Sequence, residues 1–255
     1  MNDTQKQALA AYLIALGDDE LILGHRDSEW AGHAPILEED IAFANLALDE
    51  IGHAVVWYEL ASDATGENPE THPNHLAYFR DVHDFRCVQM VELPKGDWAY
   101  TIVRQYLFDV AERIRLTALA QSNYPPLAEA AGKIKGEELY HLRHSAAWVK
   151  RLGLGTAESN IRMQHALNEL WALAHQLFMP LPGENDLTPD DIVPVSANLL
   201  PEWEAVVRTA FAEADLTPPA ANTSPSRDRS VHTPYLIDLV TEMQKVARLD
   251  PDATW

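Results

Sequence analysis

The sequence is poor in cysteine, in positive charge and in long apolar runs, and each scarcity excludes a class of protein. Its 255 residues include one cysteine, Cys87, which excludes a disulfide framework and a cage of several thiolates. No apolar run approaches the roughly 18 residues that span a bilayer. The first residues lack the basic and apolar regions of a secretion signal, and we therefore expect a cytoplasmic protein.

Acidic residues outnumber basic residues by about two to one. The chain has 39 acidic and 19 basic residues, which gives a formal net charge of -20. Such a surface repels polyanions, and this argues against nucleic acid and anionic membranes as partners. The excess of acid favours solubility, and it is also compatible with docking to a basic partner.

Strand-like alternation is missing too, and apolar residues instead recur at the helical period. We predict an all-α protein with a single domain over residues 1–255, a core bundle over about 4–152 and extra helices over about 158–255. Residues 80–95 are ambiguous, and 215–233 are expected to be mobile because they lack bulky apolar side chains. The predicted helices cover residues 4–24, about 35–64, 97–122, 126–152, 158–179, part of 199–214, and 233–248.

Local signals refine these helices. Thr4 and Asp97 are plausible N-caps, Gly17 is expected to mark a close helix contact, and residues 65–81 are predicted to form a loop because they are rich in Pro, Asn and His. The second helix is predicted from apolar residues at helical spacing, namely Leu37, Ile41, Ala44, Leu48, Ile51, Val55 and Tyr58.

The motif Glu-x-x-His occurs twice, as Glu50-x-x-His53 and as Glu138-x-x-His141. Residues three apart lie on one helix face, so a carboxylate and an imidazole placed in this way can bind one metal ion. A single motif arises by chance in many helices. Two motifs, with one further carboxylate from each of two other helices, are typical of the di-metal sites of ferritin-like bundles.

The first additional carboxylate is predicted from spacing around a turn. Glu20 lies 15 residues before Pro35, and Glu50 lies 15 residues after it. Pro35 falls in the predicted turn between the first two helices. Residues equidistant from a turn reach the same height in two antiparallel helices, so Glu20 and Glu50 can meet.

The second additional carboxylate has two candidates. Asp109 and Glu138 are 29 residues apart, and their midpoint again falls in a predicted turn. Glu112 lies one turn after Asp109 on the same face, and Glu is the commoner ligand at this position of ferritin-like sites. Its separation of 26 from Glu138 matches the first hairpin less well, so the spacing favours Asp109. Glu112 could then support a ligand from outside the site, or pair with Arg115 or Arg113.

Residues beside the motifs have expected roles as well. Asp49 and Glu137 could each hold a histidine N–H. The alternative for Asp49 is to face solvent, which is the commoner fate of such a residue. His144 is expected to be a neighbour of the site and not a ligand. The aromatic residues are expected to lie mostly in the core, namely Trp30, Trp57, Trp98, Tyr106, Tyr140 and Trp148.

Four carboxylates and two imidazoles are the donor set of non-haem di-iron centres, and manganese uses the same ligands. The alternative is that each glutamate is an ordinary surface residue and the pattern is a coincidence. If the carboxylates do converge, a metal-free arrangement is costly because they would repel one another or take up protons.

Short sequence runs along nearly the whole chain indicate a resemblance to a known family. They are GDD at 17–19, EWAGHAP at 29–35, RQY at 104–106, YHLR at 140–143, the stretch 148–153 and the closing segment 236–255. These runs resemble the C-subunit family of bacterial ring-1,2-phenylacetyl-CoA epoxidases, and the EWAGHAP and YHLR runs are fairly specific.

The resemblance implies a ferritin-like four-helix bundle with additional C-terminal helices, in a multicomponent monooxygenase of aerobic phenylacetate breakdown that acts on phenylacetyl-CoA. In that family the A-type component carries the di-iron centre, and the paralogous C-type component pairs with it and is usually described as structural. A separate flavin and iron–sulfur reductase supplies electrons from NADPH. Some C-type components have lost the ligand residues, whereas all six are present in this chain.

Three hypotheses follow. In the first, the chain is an epoxidase subunit with an intact site for two iron ions. In the second, it is a metal-free scaffold for the A-type component. In the third, it is a stand-alone ferritin-like oxidase or iron-handling protein. A homodimer is a separate possibility for the assembly of the chain. The first assigns bridging catalytic carboxylates to Glu50 and Glu138, capping imidazoles to His53 and His141, and terminal carboxylates to Glu20 and Asp109.

Overall fold

The computed structural model describes residues 1–220 and 228–251, and within these ranges it contains helices and no strands. The prediction of an all-α protein is confirmed. No helix in this part of the chain is both long enough and apolar enough to cross a membrane. The α-helices are α1 (Asp3–Ser28), α2 (Leu37–Thr65), α3 (His72–Tyr78), α4 (Gln89–Glu92), α5 (Trp98–Leu119), α6 (Pro125–Gly153), α7 (Ala157–Ala174), α8 (Glu184–Leu187), α9 (Leu200–Glu213) and α10 (Pro234–Leu249).

Two antiparallel hairpins form the ferritin-like bundle. Helices α1 and α2 pack along their length, as do α5 and α6, and α2 faces α6 across the bundle. Helices α7 and α9 cover α5 and α6, while α10 packs on α3 and α4. The turns at 29–36 and 120–124 contain the midpoints predicted for the two carboxylate pairs. That all these elements form one domain stays a prediction.

The start and end of α1 differ from the prediction. Asn2 is the N-cap instead of Thr4, since its side chain accepts a hydrogen bond from the Gln5 N–H and the Gln5 side-chain oxygen accepts one from the Asn2 N–H. The helix also continues past Gly24 to Ser28. One glycine costs a helix about 1 kcal/mol, and Gly24 compensates by letting α1 approach the backbone of α2 at Ala47.

The apolar residues that predicted α2 do not all face the core. Leu37, Ile41, Leu48 and Val55 are 72%, 56%, 68% and 40% exposed and share one side of the helix. We call these four residues the α2 stripe. Their spacing correctly indicates a helix, but a second apolar face, which includes Phe43, is the one that is buried.

Three connecting segments are more ordered than expected. The predicted loop at 65–81 contains α3, with Pro73 in its first turn, and the ambiguous stretch contains a 3₁₀ turn and α4. Of the segment expected to be mobile, residues 221–227 lie outside the described part. Its end is held to the bundle, since Arg229 is 3% exposed and donates a 2.7 Å hydrogen bond to Asp19.

Two adjacent aspartates fix the turn of α1 that carries Glu20. Asp18 accepts hydrogen bonds from Arg80 and from the Tyr58 hydroxyl at 2.6 Å. Asp19 accepts from Arg229 and from the Val88 N–H, both at 2.7 Å. Buried charge-assisted hydrogen bonds of this kind are strong, so they set the rotation of α1 about its axis.

We predict opposite effects for two glycine substitutions. In Gly17→Ala the new Cβ would lie 2.5 Å from the Tyr58 ring, and Tyr58 cannot retreat while Asp18 holds its hydroxyl. A loss of about 1–3 kcal/mol in the free energy of unfolding is expected. Gly132 is the matched control, because a Cβ there meets nothing within 4 Å, and Gly132→Ala should gain up to about 1 kcal/mol. Urea unfolding measures both, and an equal response would refute the contact.

Candidate metal centre

Three helices bring five of the six predicted ligands together in the middle of the bundle. Glu20 comes from α1, Glu50 and His53 from α2, and Glu138 and His141 from α6. All five are buried, with at most 2% of any of them exposed. Single atoms of Glu20, Glu50, His53 and Glu138 lie within 4.8 Å of one another, as ligands of one metal ion would.

The two histidines flank two shared carboxylates. His53 Nδ1 lies 3.4 Å from Glu138 Oε1, 3.8 Å from Glu20 Oε2 and 4.0 Å from Glu50 Oε2. His141 Nδ1 lies 3.1 Å from the same oxygen of Glu138 and 3.4 Å from Glu50 Oε1. The ring centroids are 5.9 Å apart. Glu50 and Glu138 therefore lie between the imidazoles, in the position that bridging carboxylates require.

Each histidine is oriented by a carboxylate from the opposite helix. His53 Nε2 lies 2.9 Å from Glu137, and His141 Nε2 lies 3.3 Å from Asp49. An ionised carboxylate only accepts hydrogen bonds, so each Nε2 carries the hydrogen and each Nδ1 faces inward. Oriented imidazoles of this kind are typical of metal-ligating histidines. Asp49 and Glu137 are thus placed as the motif spacing predicts.

Asp109 lies beside the cluster, and each of its two oxygens accepts one hydrogen bond. Gln105 Nε2 donates to Asp109 Oδ1 at 2.8 Å and to Glu50 Oε1 at 3.1 Å, and the Ser145 hydroxyl donates to Asp109 Oδ2 at 2.5 Å. Its rival Glu112 pairs with Arg115 instead. Of the two candidates Asp109 is the one joined to the cluster, and its role as a ligand stays a prediction.

Gln105 and Ser145 were not anticipated from the sequence. Gln105 lies one helical turn before Asp109, and Ser145 lies one turn after His141, so the period of 3.6 could have placed both on the inner face.

The structure also decides the expected positions of His144 and Tyr140. His144 is bound to Glu39 at 2.7 Å and not to the cluster, and Tyr140 is half-exposed instead of lying in the core.

Several polar atoms of the cluster are buried and satisfied by no hydrogen bond within the described residues. A buried donor or acceptor without a partner costs about 1–3 kcal/mol, so their concentration at one point requires an explanation. Divalent iron or manganese would supply it, because both accept carboxylate and imidazole ligands. These atoms are Glu20 Oε2, Glu50 Oε2, both carboxylate oxygens of Glu138, and the Nδ1 atoms of His53 and His141.

The pKa shifts of the clustered side chains also indicate that the centre needs a compensating positive charge. Burial raises the pKa of Glu20, Asp109 and Glu138, and the negative charges of Glu50 and of one another add to the effect. For Glu50, burial is outweighed by its contacts with Glu20 and His141, and its pKa falls. For His141, contacts with carboxylates likewise outweigh burial, and its pKa rises. Without a metal, the groups with a raised pKa therefore keep protons that they would lose in water.

These shifts predict how the stability of the metal-free protein depends on pH. Carboxyl groups with a raised pKa bind more protons in the folded chain than in the unfolded chain, so the free energy of unfolding should fall as pH rises above the ordinary carboxyl range of about 4–5. His141, with its raised pKa, acts in the same direction. Urea unfolding of chelator-treated protein measures the slope.

The control is the double variant Glu20→Gln/Glu138→Gln, which removes two of the titrating groups. Its slope should be flatter than that of the native chain, whereas bound Mn²⁺ should flatten the native slope by displacing the same protons. Identical slopes for native and variant chains would show that these groups do not carry the effect.

Comparison with known proteins agrees with the geometry. The family model described as phenylacetic acid catabolic protein matches residues 1–255. The chain is 38% identical to the C component of the 1,2-phenylacetyl-CoA epoxidase of Escherichia coli K12 over 248 residues, which is 97% of this chain and 99% of the relative. It is 24% identical to the A component of the epoxidase of the same organism over 180 residues, or 71% and 57% of the two chains. The chain therefore belongs to the phenylacetic acid catabolic protein family.

Proposed function

We propose that this chain is a subunit of a ring-1,2-phenylacetyl-CoA epoxidase, a monooxygenase of aerobic phenylacetate breakdown, and that its bundle binds two iron ions. The observation that carries the metal assignment is the set of buried, unpaired oxygen and Nδ1 atoms that face one another. The assigned roles are bridging for Glu50 and Glu138, capping for His53 and His141, and terminal coordination for Glu20 and Asp109.

A pair of iron ions held by these residues would supply the chemistry for reducing dioxygen with electrons from the reductase, so that one oxygen atom could enter an aromatic ring and the other could leave as water. The protein's own contribution is placement and isolation. Asp49 and Glu137 hold the imidazoles with Nδ1 inward, and Gln105 ties Glu50 to Asp109. Burial of the five clustered side chains keeps bulk water away. Manganese would use the same ligands.

A complex is favoured over a stand-alone oxidase or a homodimer. The two relatives are the C and A components of one epoxidase, and the chain resembles both. We therefore infer a paralogous A-type partner, with phenylacetyl-CoA as substrate, a separate NADPH-linked flavin and iron–sulfur reductase, and a cytoplasmic location. A purely metal-free scaffold is less favoured, because it would leave the unpaired buried atoms without compensation.

The α2 stripe is the surface that we assign to the A-type partner. It exposes four large apolar side chains along one helix, whereas exposed apolar patches on soluble chains usually mark interaction sites. A partner built on a similar bundle can offer a similar helix to it. The stripe lies on the helix that carries Glu50 and His53, so docking would also stabilise two of the six proposed ligands.

We predict that Glu50→Ala and Glu138→Ala each abolish stoichiometric iron binding, because both remove a shared ligand. Metal affinity should fall by at least about 100-fold, since even the outer partners of ligands usually contribute 10–100-fold. Glu39→Gln is the matched control, as Glu39 lies on α2 but pairs with His144. Metal analysis after expression with iron measures this, and a native chain with neither iron nor manganese would refute the site.

Turnover then separates a catalytic chain from a scaffold. In the reconstituted complex, His53→Ala should reduce phenylacetyl-CoA epoxidation if this centre takes part in the reaction. Unchanged turnover, together with an intact complex, would assign the chemistry to the A-type partner.

We predict that a charge within the α2 stripe weakens the complex. Ile41→Asp and Leu48→Asp should each lower the affinity for the A-type partner by at least about tenfold, as expected for central apolar contacts. Val246→Asp on α10 is the control, because Val246 is 58% exposed and Ile41 is 56% exposed. Calorimetric titration measures the affinities, and equal values for all three variants would place the interface elsewhere.

A further inference from the structure

A second group of metal-ligating side chains lies outside the bundle centre. Cys87 lies two residues before α4, Glu92 is the last residue of α4, and His232 precedes α10. One ligand atom from each lies within 4.8 Å of the others. Cys87 and Glu92 are buried, and His232 is partly buried. This group shares no residue with the cluster of Glu20, Glu50, His53 and Glu138.

Glu92 is held so that one oxygen faces the other two groups. Its Oε2 accepts the Thr233 N–H at 2.6 Å. Its Oε1 lies 2.7 Å from His232 Nδ1 and 3.7 Å from Cys87 Sγ. The carboxylate therefore presents a single fixed oxygen between a nitrogen and a sulfur, so three donor atoms of different kinds converge on one point.

The orientation of His232 strengthens this point. Its Nε2 lies 3.0 Å from the Phe85 carbonyl oxygen, which can only accept, so Nε2 carries a hydrogen. In a neutral imidazole the lone pair of Nδ1 then faces the Glu92 carboxylate. Two electron pairs at this distance need a proton or a metal ion between them. Ligating histidines in metal sites usually donate their other N–H to a carbonyl or carboxylate, as His232 does to Phe85.

The surroundings supply negative charge. Burial raises the pKa of Cys87, and the carboxylates of Glu92, Asp18 and Asp19 raise it further. Without a cation the thiol stays protonated. A divalent cation would displace that proton to solvent, and its two positive charges would balance one thiolate and one carboxylate. Arg229 already neutralises Asp19 through a direct hydrogen bond.

We propose that Cys87, Glu92 and His232 bind one divalent cation of the zinc class. A mixed sulfur, nitrogen and oxygen donor set favours zinc, and a thiolate ligand distinguishes it from the hard-ligand centre in the bundle. Three protein ligands leave the fourth tetrahedral position to water. Because Glu92 and His232 are 140 residues apart in the sequence, the ion would fasten the segment before α10 to α4.

Cobalt substitution tests the site with a signal that only this site can give. Cys87 is the sole cysteine, so a thiolate-to-cobalt charge-transfer band in the near ultraviolet cannot arise from the bundle centre. Untagged full-length protein, stripped by chelation and titrated with Co²⁺, should develop this band to one equivalent per chain. Zn²⁺ should then remove it.

Variants complete the test. Cys87→Ser should abolish the band, and His232→Gln should weaken Co²⁺ binding at this site by at least about tenfold. Glu138→Gln, which alters only the bundle centre, should keep the band. A native chain that binds Co²⁺ without a thiolate band would overturn the proposal and leave the three residues as a hydrogen-bonded cluster. Because that result comes from the native chain, misfolding of a variant cannot obscure it.

Discussion

Carboxylates buried against one another are the constraint on which the rest of this structure depends. Glu20, Glu50 and Glu138 meet in a space closed to water, with Asp109 one hydrogen-bonded step away. Ionised together they would repel one another strongly, and burial already raises the pKa of all but Glu50. Two imidazoles cannot neutralise four carboxylates. The centre must hold protons or metal ions, and the unpaired inward atoms fit metal ions better.

The surrounding fold serves to keep this unfavourable arrangement in place. Hydrogen bonds from Arg80 and Arg229 to the aspartates before Glu20 fix one ligand helix. The outer carboxylates Asp49 and Glu137 cross between α2 and α6 to orient the histidines. The repulsion among the buried carboxylates is therefore offset by ion pairs and packing at the edge of the cluster. Binding of metal would turn a costly cluster into a source of stability.

Much of this could be predicted from the sequence because helices obey a fixed period. The doubled Glu-x-x-His motif and the equidistant Glu20 and Glu50 define heights and faces, and the structure brings those residues together. The helical period does not show which of two apolar faces of a helix is buried. Leu48 therefore helps to predict α2 correctly, although its side chain is exposed in the structure. The period places Gln105 on the inner face of α5, but it does not indicate that the amide of Gln105 joins Asp109 to Glu50.

Long-range contacts were the least predictable. His232 contacts Glu92 across 140 residues, and no local pattern near either residue indicates the other. Asn2 replaces Thr4 as N-cap because both residues suit that position and only the reciprocal hydrogen bond with Gln5 decides between them. The contact of His232 with Glu92 depends on tertiary packing, which a single sequence does not display, whereas the pairing of Asn2 with Gln5 is local and matches the spacing of a capping box.

Anomalous diffraction at the iron edge, from crystals of protein expressed with iron, tests the central claim most directly. The account predicts two peaks between His53 and His141, about 3.5–4 Å apart as in other two-metal sites, with Glu50 and Glu138 touching both. No anomalous peak in the bundle of an iron-loaded crystal, with the same carboxylates hydrogen-bonded to one another, would contradict it.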